Sequence, residues 1–410
     1  RTVAYGDVDN DGDLDLAVGN SNGPNQIYHN QNGKLATKAY HEFGADDNTF
    51  SLAWGDINSD GWIDLATGNR GGNLKVYLNN KGALLETPVF TKNDIDVYDL
   101  AWGDVNGDGF PELAVAGYKD QSHIFLNQAG RLQSTPIWSS TQANIESRQV
   151  AWGDLNQDGR LDLAVANSNF ASHIYLNEDG NFSDTPDWNS TNITTASAIA
   201  WGDVNTDGQI DLLLATTSGE INLFENRPEG LALTSTWQIP EPEGIASIDL
   251  GDLDADGDLD LAVGTSIRSA YVYYNTQNVF TSTAPWESGD DDKRKDIALA
   301  DVNNDGSLDL TVANSEGPNK IYLNRPYPFF ETGVTVGLGD INRLEIADMD
   351  ANGKFDLLVA TADQPSRMYT FSQGLLSIEP SWIELSPEGE IPKDNRDKCS
   401  IPGDVNEIGR

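Results

Sequence analysis

The same acidic nine-residue loop occurs eight times in this chain. Its form is plain in Asp154-Leu-Asn-Gln-Asp-Gly-Arg-Leu-Asp162, with side-chain oxygens at positions one, three, five and nine and a glycine at six. The loops begin at Asp7, Asp56, Asp104, Asp154, Asp203, Asp252, Asp301 and Asp348, at steps of 47 to 50 residues. A regular period of this size marks a repeat array or a propeller and outranks any local reading of the chain.

The donor pattern is that of the first half of an EF-hand-like calcium loop, closed three residues early. Asp154, Asn156, Asp158 and Asp162 each offer side-chain oxygen, Arg160 needs only its backbone carbonyl, and Gly159 permits the sharp turn. The corresponding residues are Asp7, Asp9, Asp11, Asp13 and Asp15 in loop one, and Asp56, Asn58, Asp60, Trp62 and Asp64 in loop two. Loop three has Asp104, Asn106, Asp108, Phe110 and Glu112; loop five has Asp203, Asn205, Asp207, Gln209 and Asp211. Loop six has Asp252, Asp254, Asp256, Asp258 and Asp260; loop seven has Asp301, Asn303, Asp305, Ser307 and Asp309. Loop eight has Asp348, Asp350, Asn352, Lys354 and Asp356, and departs by placing Asn352 at position five. All-oxygen ligation without Cys or His points to a hard cation, calcium before magnesium. Up to eight Ca2+ ions are therefore expected. A plain Asp/Asn/Gly surface turn is the reading to beat at each loop taken singly.

The charge balance agrees. The chain has 410 residues and a formal charge of −40, and 26 of its 65 acidic residues stand at positions one, three, five and nine of the loops. Eight divalent ions would bring the charge to about −24, so the metal-free chain should repel itself. Such a balance argues against nucleic acid or an anionic membrane as partner. The one basic run, Lys293-Arg294-Lys295, follows three aspartates. A single cysteine, Cys399, excludes an internal disulfide, leaving calcium as the staple for an extracellular fold. No transmembrane run or signal peptide is visible, so no direct membrane insertion is expected. The opening at Arg1 directly in a strand pattern leaves room for a removed upstream segment. Sequons at Asn181, Asn189 and Asn192 suit a secreted protein and equally suit chance.

Repeat four serves as the template for an all-β reading. A short strand A (residues 149–153) leads into the loop, and an apolar strand B (161–166) should be buried on both faces. Strand C (173–177) and strand D (181–188) flank the hairpin signal Glu178-Asp179-Gly180. Four antiparallel strands in one period make one propeller blade. Strand A carries Trp54, Trp102, Trp152 and Trp201, and strand D carries Trp138, Trp188, Trp237, Trp286 and Trp382. These are expected in the packing between blades, while Trp62, at position seven of its loop, is expected to be exposed. Strand C carries Tyr28, Tyr77, Phe125, Tyr175, Phe224, Tyr273, Tyr322 and Tyr369. Residues 388–410 read as a tail or linker after a propeller spanning 1–387.

Trp-Gly, then Asp-x-Asn-x-Asp-Gly-x-x-Asp, then Leu-Ala-Val-Gly/Ala resembles the FG-GAP/VCBS repeat of integrin α-subunit heads and many bacterial secreted proteins. The resemblance implies a β-propeller with calcium in the A–B hairpin loops. Integrin-type heads have seven repeats; the eight here favour eight blades, with seven as the alternative.

The function expected is a non-catalytic, calcium-stabilised extracellular binding or adhesion module for a protein or glycan. A polysaccharide lyase or other carbohydrate-active enzyme on an eight-bladed propeller, and a structural subunit of a surface assembly, are the other readings. No catalytic motif stands out, and even spacing leaves no room for a large insertion that would break the symmetry. His123 and His173 open strand C in adjacent repeats and are expected to be surface positions. Because strand direction alternates, the A–B and C–D connections share one face and the B–C and D–A loops share the other. The second set varies most: residues 20–25, 69–73, 118–122 and 167–172, and 94–98, 141–148 and 289–295. Recognition is expected there, with Tyr98, Tyr118, Arg148, Phe170 and Arg268 as candidate anchors.

Overall fold

The computed structural model describes residues 2–383 except 13–14, 21–22, 31–35, 37, 45–46, 143, 241–243, 267–268, 282–283, 290–292, 301–305, 317, 325–333, 339–340, 348–355, 362–366, 373–374 and 377–381. Asp13, Arg268, Asp301, Asn303, Asp305, Asp348, Asp350, Asn352, Lys354 and the tail at 388–410 lie outside the described residues. No helix occurs among the described ones.

Among the described residues the strands form eight successive four-stranded antiparallel units, each with its strands in chain order A-B-C-D. Blade one opens with Thr2–Gly6 paired to Asp15–Gly19, and blade eight closes with Trp382–Ile383 paired to Arg367–Tyr369. The first strands of successive blades lie side by side, and Thr2–Gly6 of blade one also lies beside Ile341–Ala347 of blade eight. Blades three and four are further joined by two cross-blade pairings, Tyr118 with Glu146 and Asp120 with Ile145.

In the template repeat, strand A runs Ile145–Gly153, starting four residues ahead of the expected 149. Strand B is Asp162–Asn167, buried at every position as its apolar run requires. Strand C is shorter than expected, His173–Tyr175, and strand D is Trp188–Asn189 rather than 181–188. The intervening chain forms its own small hairpin, Asn177–Glu178 with Asn181–Phe182, turned by Asp179 and Gly180 at φ 54° and 81°. Two left-handed residues in succession define the type I′ turn that suits strand twist. Pro186, which has no N–H to donate, then separates this hairpin from strand D.

Three contacts recur where blades meet. The strand A tryptophan of one blade stands over the strand A glycine of the blade before it: a Cβ on Gly103 would lie 2.9 Å from Trp152 Cδ1. Glycine is required at that place because any side chain would occupy the indole's space. Trp54, Trp102 and Trp152 also donate from Nε1 to the carbonyls of Ala4, Ala53 and Ala101, at 3.3, 3.0 and 3.1 Å. At the periphery, the strand D aromatic packs edge-on against the next blade's strand C aromatic, as in Trp138 on Tyr175 at 4.4 Å and Trp188 on Phe224 at 4.8 Å. The eight strand C aromatics are all buried. The aromatic positions thus serve blade packing.

The third contact is a buried relay through the loops. In blades one to six the position-nine carboxylate accepts the N–H of the position-two residue and that of an asparagine fifteen residues on; Asp162 takes Leu155 at 2.9 Å and Asn177 at 2.8 Å. That asparagine's Nδ2 then crosses to the position-two carbonyl of the preceding blade. Asn79 reaches Val8, Asn127 reaches Ile57, Asn177 reaches Val105, Asn226 reaches Leu155, Asn275 reaches Val204 and Asn324 reaches Leu253, at 2.5 to 2.7 Å.

Candidate metal centres and the opposite loop face

The A–B loops share one geometry wherever they are described. In loop two the position-one carboxylate, Asp56, accepts the N–H of Asp60 at 3.1 Å and of Gly61 at 2.8 Å. Asn58 accepts the Asp60 N–H at 2.9 Å, and Asp60 accepts that of Trp62 at 2.9 Å. Loops four and five repeat the pattern through Asp154, Asn156 and Asp158 and through Asp203, Asn205 and Asp207. Backbone donors therefore hold the acceptors of positions one, three and five on one side of the turn. Each carboxylate oxygen keeps a further lone pair for a cation. Like-charge repulsion within the loop is thus offset in part by its own amides.

Position four supplies the bend that aims those amides. Asn10, Ser59, Gln157, Thr206 and Ala255 are all left-handed there, at φ 55° to 61°, and Gly107 is at 71°. Nothing about Gln, Thr or Ala signals such a conformation, so the sequence reading missed it. Several of these residues also tie one loop to the next blade's position-six glycine, as Asn10 Nδ2 does to Gly61 O at 2.8 Å and Ser59 Oγ to Gly109 O at 2.7 Å.

Position nine differs in kind. Asp15, Asp64, Glu112, Asp162, Asp211 and Asp260 are fully buried. Burial pushes their carboxyls up, to about 7 for Asp15, Asp64, Glu112 and Asp260 and about 6 for Asp162 and Asp211. The two N–H bonds each accepts pull the other way and are outweighed. A cation beside such a group would restore its charge. Ligand atoms of Asp7, Asp9 and Asp11, and of Asp252, Asp254 and Asp260, lie within 4.8 Å of one another, a fit to one divalent ion. Asp258 at position seven donates its N–H to Asp256 at 3.0 Å. Ser307 and Asp309 are described in loop seven, where Asp309 accepts the Asn324 N–H at 2.7 Å; in loop eight Asp356 is buried.

Two position-seven residues depart from expectation. Trp62 is half-buried beside the Gly82 turn and is not exposed, because its ring fills the space over the C–D hairpin. Arg160 does more than present a carbonyl: its guanidinium contacts the Asp158 carboxylate and lies 3.6 Å from Asp179. Phe110 and Gln209 donate their N–H groups to Asp108 and Asp207, at 2.9 and 2.8 Å.

The histidines that open strand C are a correction. His173 is buried between Phe170 and Tyr175, and His123 is partly buried against Phe125. Both side chains fall on the same side of the strand as the buried aromatic two residues on, which is why neither reaches the surface. Burial lowers both, His173 to about 4.

On the face carrying the B–C and D–A loops the symmetry breaks. Arg70 lies over the Tyr118 ring at 4.1 Å and near Phe50 at 5.4 Å. Arg148 lies over Tyr98 at 4.8 Å and hydrogen-bonds its hydroxyl at 2.5 Å, and Tyr98 and Tyr118 are 6.0 Å apart. Glu146 closes the group, 3.4 Å from Arg148 and 3.8 Å from Lys119. This ladder crosses blades two to four at the starts of strands A and the ends of strands B. The matching places in blades five and six are Ser197, Thr217, Ala246 and Ser266. Phe50 and Arg70 were not among the expected anchors; alignment of each repeat on its loop would have shown them. Phe170 is 42% exposed but stands apart, against His173. The A–B loop side has its own groove of about 500 Å³ between blades four and five, lined by Leu176, Trp188, Arg227 and Leu233 among others.

An all-β chain of repeated four-stranded blades, each with an acidic loop in its first hairpin, defines a repeat β-propeller. The chain belongs to the FG-GAP-like repeat family, whose model matches residues 7–67, 56–115, 104–165, 154–214, 203–263, 252–312 and 301–359. Each match runs from one loop through the next, so the seven take in all eight loops. No curated protein sequence matches the chain. Similar solved structures include Saccharomyces cerevisiae Sqt1 (TM-score 0.61, 10% identity, covering 87% of this chain and 92% of that one). The computationally designed Ika8 protein is similar at TM-score 0.60 and 9% identity, over 90% and 95% of the two chains. BBS1N, crystallised in complex with ARL6DN, is similar at TM-score 0.50 and 14% identity, over 80% and 93%. At such identities the likeness concerns the fold.

Proposed function

We propose that this chain is a calcium-stabilised, eight-bladed propeller that binds an extracellular protein or glycan without catalysing a reaction. The A–B loops would hold Ca2+ through positions one, three, five and nine and the position-seven carbonyl. Bound ions would neutralise the acidic face and recharge the buried position-nine carboxylates, stabilising the ring. Closure of eight blades is supported by the inner strands of blades one and eight lying side by side.

Recognition is assigned to the opposite face, and the observation that carries this is the Arg70–Tyr118–Tyr98–Arg148 ladder. A scaffold repeated for packing has no need of it, since blades five and six hold small residues at the same places. Aromatic and guanidinium groups are the side chains that anchor partners best. The test is a glycan and extracellular-protein array probed in calcium and in chelator. Ligands bound by wild type and lost by Tyr98→Ala/Arg148→Ala, with folding and calcium content intact, support the assignment. Binding that survives this variant and is lost on substitutions at the calcium-loop groove contradicts it.

A further inference from the structure

Blade one carries a nitrogen donor at its loop, where no other blade does. The residue fourteen places after position nine is His29 in blade one, and Leu78, Leu126, Leu176, Glu225, Tyr274, Leu323 and Thr370 in the others. Ligand atoms of His29, Asp9 and Asp15 all lie within 4.8 Å of one another, and His29 Nδ1 is 3.4 Å from Asp9 Oδ2. The imidazole is held in place: it stacks on Tyr40 with ring centroids 4.0 Å apart. Its Nε2 is buried and has no hydrogen-bond partner. The ring nitrogen nearest Asp9 is Nδ1, so an imidazole held in this orientation can ligate through that atom.

We propose that loop one is a mixed nitrogen–oxygen site that takes a divalent first-row transition ion of the Zn2+ or Mn2+ kind in preference to calcium, through His29, Asp9 and Asp15. Imidazole is a poor partner for calcium, which takes oxygen ligands, and a good one for these ions. Neighbouring ligands of such an ion stand about 3.0–3.4 Å apart at ordinary bond lengths of about 2.1 Å. His29 and Asp9 already stand at that spacing, and the pair must close on Asp15 by up to about 1.8 Å for the three to share one ion. Asp15 is anchored by the N–H groups of Val8 and Asn30, at 2.9 and 2.7 Å, so Asp9 and His29 are the groups that adjust. The site shares Asp9 and Asp15 with the proposed calcium set, so the two ions compete at this loop alone.

The experiment is a Co2+ titration of the full chain held in excess calcium, followed by visible absorption and by elemental analysis of the dialysed protein. Wild type is expected to take one equivalent of Co2+, with a d–d spectrum, and to lose one calcium in exchange. His29→Leu, which places in blade one the residue that four other blades carry, is expected to bind Co2+ at least tenfold more weakly and keep its full calcium. Asp9→Asn, the residue at position three in five other loops, is the second variant and should also weaken Co2+ while leaving the fold intact. Equal Co2+ binding by wild type and both variants, or none by any of them, overturns the proposal. Calcium counted in the same samples separates that failure from a failure of the calcium reading at the other loops.

Discussion

Asn177 of blade four donates from its side-chain amide to the Val105 carbonyl of blade three at 2.6 Å, while its own backbone N–H holds Asp162 at 2.8 Å. One residue thus couples the buried carboxylate of its own loop to the first turn of the neighbour's. Asn177→Ala leaves the buried Val105 carbonyl without that donor, which costs about 1–3 kcal/mol. The urea midpoint should fall accordingly, and Asn177→Asp, which also lacks the donor, should not rescue it.

The relay has a residue-level gap. Phe371 occupies in blade eight the place that asparagine fills in blades one to seven, and phenylalanine has no amide to donate. Hydrogen exchange should therefore be fastest, among the B strands, in Asp356–Thr361, and slow in Asp162–Asn167 and Asp211–Thr216. Uniform protection across those strands would show that the relay contributes little.

Gly103→Ala should destabilise by about 1–3 kcal/mol, because its methyl would meet Trp152 at 2.9 Å with Leu161 at 3.1 Å behind it. A thermal melt followed by tryptophan fluorescence checks both the loss and the displaced indole. Gly107→Ala, at a loop position with nothing within 4 Å of the added carbon, pays instead for a left-handed φ of 71°. That cost is about 1–2 kcal/mol.

His173 gives a pH dependence with a definite sign. Its folded value is depressed from 6.5 to about 4 by burial, so the folded state binds fewer protons than the unfolded chain between those limits. The stability it permits is whole above pH 6.5 and is lost progressively as pH falls towards 4. His173→Gln should remove that part of the slope, so wild type and variant curves converge or cross on acidification. Parallel curves from pH 7 to 4 would contradict it.

The repeat, its loop and the aromatic blade packing were legible because each depends on residue type at a fixed spacing. Strand D was misplaced because the Asp179-Gly180 turn fixes only two pairs before Pro186, and nothing local marks where pairing with His173–Tyr175 resumes. The Asn177 relay was missed because an asparagine after a strand reads as a turn residue, and its partner lies 72 positions away. His29 and the Arg70–Tyr118 contact were missed for a related reason: they break the repeat. They are visible once blades are superposed position by position.

The central claim is that calcium in the acidic loops holds this propeller together. Calcium content and thermal melting measured on the same samples, before and after exhaustive EDTA treatment, test it most directly. A site held at about 100 times its dissociation constant adds about 2.7 kcal/mol to native stability. The account predicts several calcium ions per chain, one fewer than the number of competent loops where a transition ion occupies loop one, and a melting temperature that falls by tens of degrees on their removal. A chain that carries no calcium at millimolar concentration, or that melts at the same temperature after its loss is confirmed, would contradict it.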